Sequence, residues 1–206
     1  MFAFKNHTLV FASANAGKAR EMAALAAPLG LRLTLQAELG IESPEETGKS
    51  FVENALLKAR HASEHSGLAA IADDSGLCVD ALNGAPGVYS ARFAGRHGDD
   101  RANYLKLLKL LEGRRGAERR ARYWCALCLW RFPDDPVPLL AVASWEGRIA
   151  LKPAGSGGFG YDPVFEVTGR GCTAAQLPPQ IKNLISHRGR AMAAMADLLR
   201  AQLNPG

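Results

Sequence analysis

One stretch limits the folds open to this chain: the apolar run Leu68-Ala69-Ala70-Ile71-Ala72 is followed at once by Asp73-Asp74-Ser75-Gly76. An apolar run of that length closed by Asp, Ser and Gly reads as a buried strand ending in a turn. It would deliver polar groups to the place where α/β sheets bind ligands. A solvated turn accounts for the same residues, because Asp and Ser open turns through their own local hydrogen bonds. The sequence downstream favours a site. Leu82 to Phe93 is a long loop carrying glycines and a proline, too irregular for a plain connector, and loops of that kind often carry function.

The amino-terminal part repeats the theme. Thr8-Leu9-Val10-Phe11-Ala12 reads as a buried strand that runs into Ser13-Ala14-Asn15-Ala16-Gly17-Lys18 and then an alanine-rich helix. The first turn of such a helix offers free backbone N–H groups and a positive dipole end, and Lys18 beside it suits a phosphate. The segment is not a P-loop, since no Ser or Thr follows Gly17-Lys18 and the upstream Gly is missing. An ordinary helix cap remains the alternative. Leu31 to Leu35 reads as a second strand, and 41–48 as an acidic loop. Ser50-Phe51-Val52-Glu53 has capping-box spacing and starts a helix on which Asn54 and Lys58 share a face. Lys58 alone is indistinguishable from a surface lysine. Glu45 or Glu46, just before that helix, can complete a hard-cation site with Asp73 or Asp74, because Mg²⁺ takes one or two carboxylates plus substrate phosphates.

Further on, Asp99 and Asp100 precede a helix with Tyr104, Leu107, Leu108 and Leu111 at helical spacing. Tyr123 to Trp130 and Leu139 to Trp145 read as a hairpin pair of strands. Gly155 to Pro163 is a second glycine-dense loop, whose backbone can approach a ligand and whose Phe159 and Tyr161 offer flat faces to a planar ring. Lys182 and Ser186-His187-Arg188 precede a last amphipathic helix. A guanidinium there can donate to carbonyl or phosphate oxygens, and a solvated basic cap is the other reading.

Bulk properties narrow the class. The 206 residues, 48% hydrophobic and 22% charged, suit one globular domain with a large core or one split into two lobes. The net charge of +5 favours an anionic partner, yet Arg114, Arg115, Arg119, Arg120 and Arg122 supply it in one patch that reads as solvated surface. Cys125 and Cys128 lie three apart in a strand, so they face opposite sides and make neither a redox pair nor a shared metal site. No signal peptide and no membrane-spanning run is expected, and a reducing, cytoplasmic setting follows.

Taken together, six ordered segments resemble the inosine/xanthosine triphosphate pyrophosphatase family (Ham1-like). They are 13–18, 45–55, 72–77, 84–92, Gly158-Phe159-Gly160-Tyr161-Asp162-Pro163 and Ser186-His187-Arg188. The resemblance implies an elongated α/β fold with a long mixed β-sheet flanked by helices, forming a single catalytic domain over 1–206 with two lobes and the cleft between them, in a homodimer. It implies hydrolysis of non-standard purine nucleoside triphosphates (ITP, dITP, XTP) to the monophosphate and pyrophosphate with Mg²⁺, with no stable nucleic-acid partner and no membrane.

By the same resemblance, Ser13, Ala14, Asn15, Ala16, Gly17 and Lys18 hold phosphates and Lys58 contacts the triphosphate. Asp74 is general base and metal ligand, and Glu45 is the second metal carboxylate. Ser75, Phe159, Gly160, Tyr161, Asp162, Lys182, His187 and Arg188 surround the nucleoside. His187 and Arg188 are donors suited to a 6-oxo group, and an adenine amino group would leave them unpaired at ~1–3 kcal/mol per group. The chain departs from the family pattern at Ala14, at Gln176, and at Pro178-Pro179-Gln180-Ile181 before Lys182. A basic nucleic-acid or nucleotide-binding module without catalysis is the competing class, and a pyrophosphatase acting on pyrimidine or modified nucleotides is the neighbouring one.

Overall fold

The computed structural model describes residues 8–13 and 15–203. Six strands form one sheet: β1 (Thr8–Phe11), β2 (Arg32–Leu35), β3 (Ala70–Val79), β4 (Arg120–Trp130), β5 (Leu139–Ile149) and β6 (Phe165–Val167), in the order β2-β1-β3-β4-β5-β6. β1 pairs parallel with both β2 and β3, and β5 pairs antiparallel with β6, so the sheet is mixed. The helices are α1 (Ala16–Ala26), α2 (Phe51–Ser66), α3 (Asp100–Leu110), α4 (Pro179–Ile185) and α5 (His187–Leu203). Among the described residues no helix is long and apolar enough to cross a membrane.

The chain divides into two compact units. The first comprises residues 1–74, 125–143 and 188–206, and the second 75–124 and 144–187. In the first unit, side-chain alternation along the strands sorts two cores. Leu9, Phe11, Ile71, Cys125, Leu127 and Leu129 pack with Met22 of α1 and with Met192, Met195 and Leu199 of α5. Val10, Ala12, Ala70, Ala72, Ala126 and Cys128 pack with Ala55, Ala59 and Ala62 of α2. Each large side chain so buried contributes roughly 1.5–3 kcal/mol. On the alanine side little volume stands between helix and sheet, which lets α2 come close to β3.

α2 begins where Ser50 accepts from Glu53 N at 3.2 Å and Glu53 Oε2 accepts from Ser50 N at 2.9 Å, the capping box read from the sequence. It ends at Gly67 with φ 66°. In the second unit, Leu77, Val79, Tyr123, Trp145, Ile149 and Phe165 pack with Leu107 and Leu111, so α3 packs a core as its spacing predicts.

Two expectations are corrected. β3 does not stop at Ala72 but continues to Val79, so Asp73 and Asp74 are mid-strand residues rather than turn residues. Burial of Leu77 and Val79 overrides the weak strand preference of Asp, Ser and Gly. The arginine patch is not simply solvated either. Arg119 is buried, Arg114 donates to the Ala81 carbonyl, and Arg122 pairs with Asp80 and Glu146. Cys125 and Cys128 fall in different cores and both are free; burial pushes each thiol up to about 12, so neither is a thiolate at neutral pH.

Candidate functional site

In the first unit, β2 and β3 lie on opposite sides of β1, so connections from β1 and β3 run out at a switch point of the parallel strands. β1 pairs with β3 only at Val10↔Ala70 and Phe11↔Ile71. Asp73 and Asp74 therefore project just past the end of β1, where Ser13 to Lys18 begins. That position, not a turn, brings both acids beside the segment before α1.

Alternation then separates the two acids. Asp73 follows Ile71 to the α1/α5 side and has no solvent exposure. Lys18 Nζ lies 3.2 Å from its Oδ1 and Arg188 Nε 3.2 Å from its Oδ2. Arg188 also pairs with Glu21 through Nη1. Burial works against the Arg188 charge, but Asp73 and Glu21 outweigh it and hold its pKa above the usual value.

Asp74 follows Ala72 to the α2 side. Lys58 Nζ donates to its Oδ1 at 3.2 Å and Asn54 Nδ2 to its Oδ2 at 3.1 Å. Lys58 also donates to Glu46 Oε1 at 2.7 Å, and Asn54 Oδ1 accepts from Gly48 N at 2.8 Å. One turn of α2 thus ties the acidic loop to the strand. A Cβ at Gly48 would collide with that Asn54 oxygen. Burial pushes the Asp74 carboxyl above its ordinary range and Glu46 adds to the push; Lys58, Lys18 and Asn54 pull down without offsetting it. Burial lowers the Lys58 pKa, and Asp74, Asp73 and Glu46 more than restore it.

The segment before α1 is a helix cap, the alternative left open by the sequence, and its phosphate role stays a proposal. Asn15 Oδ1 accepts from Lys18 N at 3.0 Å, and Ser13 Oγ accepts from Asn15 N at 3.2 Å. Asn15 and Ala16 are exposed, while Ser13, Gly17 and Lys18 are half-buried. Ala14 lies outside the described residues.

In the second unit, Asp162 organises the glycine loop. Its Oδ2 accepts from Phe159 N at 2.9 Å and from Lys182 Nζ at 2.7 Å, and Lys182 Nζ stands 4.9 Å over the Phe159 ring. Gly158, at φ 73°, leaves no room for a Cβ, which would collide with the Asp162 carboxylate. Gly160 N donates to Asp100 Oδ2 at 2.7 Å. Pro179 opens α4, the position where its missing N–H is harmless, so Lys182 reaches Asp162 despite the two prolines before it. Gln176 Oε1 accepts from Thr173 N at 2.9 Å, giving it a capping role of its own. The His187 ring stacks on Tyr123 at 4.6 Å with an interplanar angle of 6°. Ser75 is half-buried in β3.

Two expected residues stand otherwise than the sequence suggested. Glu45 is exposed, and its neighbour Glu46 is the one at Lys58. Tyr161 is buried and donates to the Ser90 carbonyl at 2.8 Å, so it braces the loop instead of offering a face. Arg188 is engaged by Asp73 and Glu21. Missed from the sequence were Glu21, Asp100 and the positioning role of Asn54. The last was signalled by its four-residue spacing from Lys58.

A mixed α/β sheet with acids at a switch point and a capped helix start beside them is the class of fold and site suited to a phosphate-bearing ligand. The chain belongs to the Ham1 family, whose sequence profile matches residues 9–198. It is 52% identical over 192 residues to the dITP/XTP pyrophosphatase of Shigella flexneri, covering 93% of this chain and 98% of that protein. To the one of Thioalkalivibrio sulfidiphilus it is 51% identical over 94% and 99%. The solved HAM1 protein of Coxiella burnetii superposes with a TM-score of 0.86 at 46% identity, covering 94% of this chain and 98% of that one. The nucleoside-triphosphatase / dITP/XTP pyrophosphatase of Mycobacterium abscessus superposes at 0.74 with 44% identity, over 91% and 98%.

Proposed function

We propose that this chain hydrolyses non-standard purine nucleoside triphosphates, ITP, dITP and XTP, to the monophosphate and pyrophosphate. The observation that carries this reading is the convergence on Asp74 of Lys58, Asn54 and, through Lys58, Glu46. The relatives named dITP/XTP pyrophosphatase at about half identity over nearly the whole chain support the substrate class.

Asp74 acts as the base. Burial raises its pKa above the ordinary carboxylate value, which makes the carboxylate a better acceptor for the proton of an attacking water. Asn54 fixes the orientation of the carboxyl group. The N–H groups at the start of α1 and the Lys18 ammonium hold phosphate oxygens, and Lys58 balances charge on the departing pyrophosphate. Phe159, Asp162, Lys182 and His187 serve the nucleoside end.

Mg²⁺ belongs to this reading, and the donor set fits it. Asp74 and Glu46 come from separate segments onto the same ammonium, and the Glu46 charge opposes ionised Asp74, a repulsion a divalent cation relieves. Two carboxylates with substrate oxygens completing the shell are what Mg²⁺ uses at phosphate sites. We take Asp74 and Glu46, not Glu45, as its ligands; when bound the ion withdraws charge from the phosphoryl oxygens and acidifies water. A cytoplasmic homodimer completes the proposal, supported by the exposed apolar side chains Phe132, Val137, Leu140 and Val142 on and before β5.

The test is pyrophosphate release from ITP, dITP and XTP against ATP and GTP, with and without Mg²⁺. Preference for the first three, dependent on the ion, is expected. Equal turnover of ATP, or none of ITP, would reject the assignment.

A further inference from the structure

A cavity of about 450 Å³ opens in the second unit, and none of the residues assigned above to substrate or metal lines it. At its base is Arg119, only 5% exposed. Its Nε donates to the Ile149 carbonyl at 2.6 Å, Nη1 to Leu111 at 2.8 Å and Nη2 to Ala150 at 2.8 Å. Every acceptor is a neutral carbonyl. Among the described residues no carboxylate pairs with Arg119, so a buried guanidinium keeps its charge without a counter-ion, an arrangement costly enough to need a reason. Three further cations, Arg115, Arg148 and Lys152, line the same cavity. The one carboxylate among the lining residues, Glu166, is engaged by Arg148 at 2.5 Å.

With Arg148 held by Glu166, the charges of Arg115, Arg119 and Lys152 remain uncompensated among the described residues around this space and suit an anion larger and more highly charged than chloride. The exposed Arg115 guanidinium offers the fork that matches phosphate oxygens in pairs, while Arg119, its N–H groups spent on carbonyls, contributes charge from below. We propose that this cavity is a second anion site, taking a compact oxyanion of the diphosphate type, and distinct from the phosphate-holding segment Ser13–Lys18. It gives the arginine-rich connector a role that hydrolysis leaves unexplained. Arg119 sets the positive base, and exposed Arg115 and Lys152 supply the adjustable grip.

The experiment is an amide-resolved NMR titration of the full chain with inorganic pyrophosphate in the absence of divalent cations. Saturable shifts are expected at Gly116, Gly171 and Thr173. The double variant Arg115→Glu, Lys152→Glu should weaken that response at least tenfold while leaving the response at Lys18 unaltered, with melting temperature checking the fold. Lys152→Ala alone should weaken it less. Shifts that never saturate, that survive the double charge reversal, or that sodium chloride of equal ionic strength reproduces would overturn the site. The Lys18 response reports on the proposed hydrolase separately, so either idea can fail without the other.

Discussion

On the α1/α5 side of β3, Asp73 is fully buried and sits between Lys18 and Arg188, with Glu21 bound to the same guanidinium. On the α2 side, one residue along, Asp74 keeps 7% exposure and shares a single lysine with Glu46. Both are acids in the same strand. The first is held between two cations, and the second by a lysine and an amide whose pull falls short of the burial cost. The difference teaches that burial alone does not mark a reacting group. The mark is a carboxyl whose ionised form is left incompletely compensated while its orientation is locked.

The sharpest way to break this contrast is Asp74→Asn. Pyrophosphate release should fall about 10²–10⁴-fold with KM little changed, because a base acts in the transition state and not in ground-state binding. Retention of near-native turnover would remove Asp74 from that role. Arg188→Leu probes the other side. It leaves buried Asp73 without its guanidinium and should cost about 3–5 kcal/mol in denaturant unfolding, the usual penalty for breaking a buried pair. A negligible change would make the two acids alike.

Glu46→Gln against Glu45→Gln sharpens the comparison at intermediate size. The first should raise the Mg²⁺ concentration for half-maximal activity about tenfold, as loss of a charged ligand does, and the second should leave it unmoved. The smallest effect concerns pH. Because the Asp74 pKa is raised, the acid limb of kcat/KM should lie above the ordinary carboxylate value of 3.8, and Glu46→Gln should move it down, since Glu46 is one of the groups raising it. Stability follows the same sign. The contribution from protonated Asp74 is present below the unfolded pKa and lost as pH rises through the higher folded one, so Asp74→Asn should gain on the parent protein across that window.

Much of this arrangement was legible in the residues. The Ser50/Glu53 box and the small-residue turn before α1 follow from local chemistry that tertiary packing did not override, whereas the Asp pair was legible as acids on a buried strand but not as mid-strand residues, because burial further along carried β3 through them. The glycine density of the second loop was legible, but not that Lys182 would meet Asp162 or that Tyr161 would turn inward, because both depend on partners far along the chain. The choice between Glu45 and Glu46 was closed to sequence reasoning for a different reason. The loop has no periodicity, and only the position of Lys58 on α2 decides which carboxylate turns toward it. Arg119 was masked by its neighbours, since five arginines in nine residues read as one surface until their burial is seen.

The strict in-and-out alternation of β3 has a consequence for any change in its length. Deleting a single residue among Ala70, Ile71 and Ala72 would slide the remainder of the strand by one pleat, handing Asp74 to Lys18 and Arg188 and presenting Asp73 to Lys58. An otherwise innocuous trio of small apolar residues thus works as a spacer that decides which acid meets which cation. A compensating insertion further along would restore the downstream core but not undo the exchange.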